Sequence, residues 1–106
     1  DNLTMQQWFQ EAAKADIAYA TEYLGLNQEE GLVWGVIRTA MASPANLCVI
    51  LMQDYLNLGG EARINFPGTL SDANWTWRAK DGMMNKDLAK EIYNMTKLYG
   101  RLGNNK

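Results

Sequence analysis

Residues 47–52 read LCVILM, the longest continuous apolar run in the chain. Ser43-Pro44 precedes this run, and the polar pair Gln53-Asp54 follows it. A short run without polar interruptions is typical of a parallel β-strand that is covered on both faces. Periodicity alone does not separate such a strand from a buried helical turn. We therefore predict a strand here, with a helical turn as the alternative.

The sequence before this run predicts helices. Thr4 and Gln7 have the spacing of a capping box, which satisfies free amides at a helix start. A second helical stretch extends from about residue 16 to residue 24, where Gly25 can end it in the left-handed conformation. Asn27 and Glu30 repeat the capping-box pattern. An apolar stripe follows at helical spacing, formed by Leu32, Val33, Val36, Ile37, Ala40 and Met41.

After the run, residues 57–73 show no helical period and predict a long organised loop. Asn85 can cap a last helix, whose apolar stripe is Leu88, Ile92, Met95 and Tyr99. The chain is thus expected to be mainly α with at most one β-strand, organised as a single segment over residues 1–106. A lone strand leaves its backbone groups unpaired, so the pattern indicates a piece of a larger α/β sheet.

Composition narrows the classes of partner. The net charge of the 106 residues is −2, without a basic cluster, so we expect neither nucleic acid nor an anionic membrane as partner. No apolar run approaches the roughly 20 residues that span a bilayer. The single cysteine, Cys48, permits no internal disulfide and suits a reducing cytoplasm. The chain contains no histidine, and we predict no metal site and no cofactor.

Two motifs resemble one enzyme family. QDYLNLGGEARINFPGT at residues 53–69 and NWTWR at residues 74–78 resemble the C-terminal motifs of the 4-α-glucanotransferases, also called amylomaltases or disproportionating enzymes, of glycoside hydrolase family 77. GLVWGVIRTAMAS, at residues 31–43, looks like the helix that precedes the last barrel strand in that family. The resemblance therefore covers nearly the whole chain. It implies the C-terminal end of a (β/α)8 TIM barrel.

The first residues, DNLTMQQWF, resemble the segment after a Thr-His pair in the same family. On that resemblance Asp1 is the third catalytic carboxylate, which stabilises the transition state. The family's nucleophilic aspartate and its acid/base glutamate have no counterpart in the 106 residues. The implied reaction transfers α-1,4-glucan segments between maltooligosaccharides or starch-derived glucans with retention. Retention requires two carboxyl groups roughly 5–5.5 Å apart, so we expect the chain alone to be inactive.

Loops that follow barrel strands form the active face of such enzymes. The resemblance therefore implies substrate binding by Asn65, with the Pro67-Gly68 turn shaping its loop. Gln53 and Asp54, at the end of the predicted strand, are assigned to the same sugar cleft. Structural hydrogen bonding is the alternative for these polar residues, and we expect Glu61 and Arg63 to brace the loop through an ion pair or hydrogen bonds.

A stand-alone carbohydrate-binding or interaction module is the alternative function. Trp75 and Trp77 have flat apolar rings that suit sugar faces, although we favour packing of the loop against the helices as their role. The unpaired run 47–52 also predicts self-association or refolding of the isolated chain, since an apolar strand edge tends to recruit another chain. Leu51 stands where the family usually has proline, which makes a helical form of this run easier.

Overall fold

The computed structural model describes residues 3–63 and 76–103. In these ranges it contains five α-helices and one short 3-10 helix. The α-helices are α1 (Met5–Glu11), α2 (Lys14–Leu24), α3 (Leu32–Ala42), α4 (Met52–Tyr55) and α5 (Lys86–Leu98), and the 3-10 helix is Gly60–Ala62. The expected mainly helical class is confirmed.

Several helix ends lie where local sequence rules place them. Thr4 Oγ1 accepts a hydrogen bond from the Gln7 amide at 3.3 Å at the start of α1. Gly25 ends α2 with a φ of 65°, in the left-handed region. Asn85 Oδ1 accepts from the Leu88 amide at 2.8 Å at the start of α5. These ends are stabilised by residues only a few positions apart, so the sequence was sufficient to predict them.

The start of α3 differs from the prediction. Asn27 Oδ1 accepts from the Glu30 amide at 2.8 Å, as a cap would, but residues 28–30 form a turn and the helix begins at Leu32. Gly31 lies between the turn and the helix with a φ of 95°. A positive φ is incompatible with a right-handed helix, and the Asn27 side chain therefore caps a turn instead of α3.

The core is centred on α3. Val33, Ile37 and Met41 are its buried members, and Ile37 is only 2% exposed. Half-buried apolar residues from several parts of the chain pack against these three side chains: Met5, Phe9, Trp34, Cys48, Ile50, Tyr55, Met95 and Tyr99. Trp34 also donates from Nε1 to the Tyr55 carbonyl at 3.2 Å, which holds α3 to α4. Met95 and Tyr99, two members of the apolar stripe predicted for α5, thus pack against the core formed by α3.

The predicted strand at residues 47–52 is not formed. Residues 47–51, here called the 47–51 segment, have no paired strand beside them in the described ranges, and Met52 already begins α4. The helical alternative is also wrong for these five residues. A strand requires a neighbour to bond its amides and carbonyls, and the described residues supply none.

Within the described ranges, only one face of this segment is covered. Cys48 and Ile50 pack against the core, whereas Leu47 is 79% and Val49 75% exposed. The alternation is that of an extended chain with one face on the protein. The continuous apolar run therefore leaves one apolar face open to solvent.

In the described ranges, no helix combines the length and the apolar character needed to cross a bilayer.

Candidate functional site

Gln53 and Asp54 are the predicted site residues that the structure describes. They lie in the single turn of α4, directly after the 47–51 segment. The prediction placed them at the end of a strand, so their local conformation is corrected to helical. Asp1, Asn65, Pro67 and Gly68, together with Trp75, lie outside the described residues.

The Gln53 side chain points inward. It is 3% exposed, and its Nε2 donates to the carbonyl of Ala62 at 3.2 Å. Ala62 is fully buried in the 3-10 helix. A buried amide costs free energy unless it is hydrogen-bonded, and this bond satisfies the donor while it fixes the loop above α4. Of the two alternatives for Gln53, the structure therefore supplies the structural hydrogen bond.

Asp54 is half-buried and faces the start of α1. Its Oδ1 accepts a hydrogen bond from the Met5 amide at 2.8 Å. Burial raises the pKa of the Asp54 carboxyl, and the Met5 amide opposes this by lowering it, with burial the larger influence. One carboxylate oxygen is thereby committed to the backbone of a segment 49 residues away in sequence.

Two glutamines of α1 extend this contact. Gln6 Nε2 donates to the Asn57 carbonyl at 2.7 Å. Gln7 lies against Gly60, where an added Cβ would come within 2.9 Å of the Gln7 amide atoms. Gly60 therefore permits the close approach of the loop to α1. Sequence reasoning treated Gln7 only as a cap and missed Gln6, since contacts across about 50 residues have no local sequence signal.

The loop after α4 is braced from within. Glu61 Oε1 accepts a hydrogen bond from the Gly59 amide at 3.0 Å. This confirms the loop-bracing role that the sequence analysis favoured for Glu61. Trp77 is half-buried, and its role towards sugars stays a prediction.

These contacts define a polar junction between α1 and residues 53–62. The hydrogen bonds of Gln53, Asp54 and Gln6 go to backbone groups, so the junction is suited to hold loops in place rather than to transfer protons. Across the described ranges, no group of three or more histidine, cysteine, aspartate or glutamate side chains is arranged to hold a metal ion.

Comparison with known proteins gives the context of this junction. A family model described as 4-alpha-glucanotransferase matches residues 1–85. A 4-alpha-glucanotransferase of Clostridium butyricum is 50% identical over 102 residues, which cover 95% of this chain and 21% of that protein. A 4-alpha-glucanotransferase of Synechocystis is 41% identical over 101 residues, covering 95% of this chain and 20% of that protein.

A solved structure is similar over the same extent. An amylomaltase from Streptococcus agalactiae, solved in complex with acarbose, superposes with a TM-score of 0.89 at 28% identity. The superposition covers 95% of this chain and 20% of that one. The chain thus spans about a fifth of the length of the curated relatives it matches. With a family model matched over residues 1–85, the chain belongs to the 4-alpha-glucanotransferase family, glycoside hydrolase family 77.

Proposed function

We propose that this chain is the C-terminal part of a cytoplasmic (β/α)8 enzyme that transfers α-1,4-glucan segments between maltooligosaccharides or starch-derived glucans with retention. The match of the family model over residues 1–85 carries this proposal. The polar junction supports it, because residues 53–62 lead in sequence to Asn65, Pro67 and Gly68, which match the N-x-P-G-T pattern that the family resemblance rests on.

The 47–51 segment fits a place in such a barrel. Its inner side chains already lie on the α3 core, and Leu47 and Val49 are exposed. Among the described residues, nothing accepts a hydrogen bond from the amides of residues 47–50. In a barrel, neighbouring strands would bond such amides and helices would cover such side chains. We assign this segment to the last barrel strand.

Asp1 is proposed as the carboxylate that stabilises the transition state. Retention proceeds through an oxocarbenium-ion-like transition state, whose positive charge a carboxylate can stabilise. Asn65, with the Pro67-Gly68 turn, is proposed to bind the glucan beside it. The nucleophile and the acid/base would come from other parts of the enzyme, so residues 1–106 alone are expected to be inactive.

A hybrid enzyme tests the proposal. Residues 1–106 replace the matching segment of the Clostridium butyricum relative, and products from maltotriose are followed with time. We expect glucose and longer maltooligosaccharides. Asp1→Asn should lower turnover by on the order of 10²–10³-fold, as loss of one transition-state contact does. Asp87→Asn, at an exposed acid of α5, is the matched control and should leave turnover unchanged.

The isolated chain separates this proposal from the binding-module alternative. We expect no glucose release from maltotriose above a heat-inactivated sample, and no saturable heat of binding with maltoheptaose. Saturable binding by the isolated chain, lost on Trp77→Ala, would favour a stand-alone carbohydrate-binding module. A folded hybrid without transfer activity would contradict the proposed enzyme function.

A further inference from the structure

The polar junction joins two regions that the proposed function places at the substrate. On one side, α1 begins at Met5, four residues after Asp1 in sequence. On the other side, Asp54 lies near the start of the stretch of sequence that continues through the 3-10 helix to Asn65. The Met5–Asp54 hydrogen bond, at 2.8 Å, joins these two regions through a charged side chain.

The start of α1 is well anchored around that bond. Thr4, the residue next to Met5, is 1% exposed, and its hydroxyl accepts from the Gln7 amide at 3.3 Å. Leu3 is half-buried and lines an apolar groove with Trp8 and Phe9. The anchoring thus reaches to within two residues of Asp1 in the sequence.

Asp54 is well suited to this anchoring. A hydrogen bond from an amide to an ionised carboxylate is roughly twice as strong as one between neutral groups. The second region is held by further bonds of its own, since Gln53 Nε2 donates to the Ala62 carbonyl at 3.2 Å and Glu61 Oε1 accepts from the Gly59 amide at 3.0 Å. A displacement of α1 would therefore change its position relative to this loop.

We infer that Asp54 is a positioning residue of the glucan site, which sets α1 relative to the loop of residues 53–63, and that it is not itself a substrate contact. The consequence for turnover rests on the proposed function, because it requires Asp1 to act on the glucan. The contact itself does not depend on that proposal.

The contact is tested on the 106-residue chain by nuclear magnetic resonance. The Met5 amide proton should shift as Asp54 loses its proton. The midpoint should lie above about 4, the ordinary value for aspartate, because burial raises the pKa of Asp54. Asp54→Asn should abolish this titration and speed exchange of the Met5 amide. Asp16→Asn, at an exposed acid in the first turn of α2, should change neither.

The consequence is tested on the hybrid enzyme. Asp54→Ala should lower kcat by on the order of 10²-fold with little change in KM, the effect of misplaced reacting groups. Asp54→Asn keeps an oxygen acceptor for the Met5 amide, so it should lower kcat less than Asp54→Ala does. A raised KM with unchanged kcat would instead identify a substrate contact and overturn the inference. If the hybrid without further substitutions shows no activity, the proposed function fails, but the titration of the Met5 amide still tests the Met5–Asp54 contact. If Asp54→Asn leaves the shift and the exchange of the Met5 amide unchanged, the inferred contact is overturned.

Discussion

Arg101 Nε donates a hydrogen bond to the carbonyl of Met41 at 2.7 Å, across 60 residues of sequence. The Nη2 of the same guanidinium donates to the carbonyls of Ser43 at 3.0 Å and Ala45 at 2.9 Å. The last carbonyls of a helix have no partner within it, and α3 ends at Ala42. One side chain therefore caps α3 and fixes the turn that leads into the 47–51 segment.

Loss of the Arg101 clamp should destabilise the chain. Arg101→Ala removes three hydrogen bonds from a charged donor, and we expect the free energy of unfolding in urea to fall by about 2–3 kcal/mol. Arg101→Lys should recover only part of this, because an ammonium group lacks the planar fork of a guanidinium. Lys90→Ala, at an exposed cation of α5, is the control and should change stability little. Equal effects of the two alanine variants would contradict a role for the clamp.

The stability of the chain should depend on the protonation of Asp54. Burial raises the pKa of this carboxyl in the folded state more than the Met5 amide lowers it. A raised folded pKa means that the folded state binds the proton more tightly than the unfolded state does. This contribution to stability is complete below the unfolded value of about 4 and is lost as the pH rises through the folded value.

Comparison with Asp54→Asn isolates this effect. The free energy of unfolding of the wild type minus that of Asp54→Asn should fall as the pH is raised from about 3 to 7, across the ordinary aspartate range. Urea unfolding of both proteins at each pH measures the difference. A difference that rises with pH would show that the Met5 hydrogen bond outweighs burial.

Ile37 is the centre of the core. It is 2% exposed, and Ile37→Ala should lower the free energy of unfolding by about 2–5 kcal/mol, from lost burial and the cavity left behind. Ile37→Val removes one methylene group and should cost about 0.5–1.5 kcal/mol. Leu98→Ala, at a residue that is 75% exposed on α5, should have almost no effect. A small loss from Ile37→Ala in chemical unfolding would mean that the packing around α3 is loose.

The isolated chain should associate through the 47–51 segment. Leu47 and Val49 expose apolar side chains next to amides that no described residue bonds, and such an edge favours pairing with a second copy. Sedimentation velocity should show a growing dimer fraction as concentration rises. Val49→Lys should keep the chain monomeric, because a charged side chain opposes edge pairing. Leu98→Lys, at an equally exposed residue of α5, is the control and should leave the dimer fraction unchanged. If the wild type sediments as a monomer at every concentration, the prediction of association through the 47–51 segment is wrong.

Local rules explain how much of the helical structure could be predicted. The ends at Thr4, Gly25 and Asn85 depend on residues three or four positions apart, and the apolar stripe of α3 follows from the helical period. Those interactions are present in any chain that carries the sequence. The motifs of residues 53–78 likewise led to the family without structural information, because they are a pattern of residue types.

The tertiary structure alone decided what the polar and apolar residues between these elements contact. The 47–51 segment has a strand's composition, but a strand exists only where a neighbour bonds it, and it lies as an extended segment with one face open. Asp54 has a carboxylate that suits a sugar cleft, yet it accepts from the Met5 amide. Arg101 lies near the end of the chain and caps a helix 60 residues earlier. Such partners are chosen by which surfaces the packed helices bring together, and sequence distance carries no information about that choice.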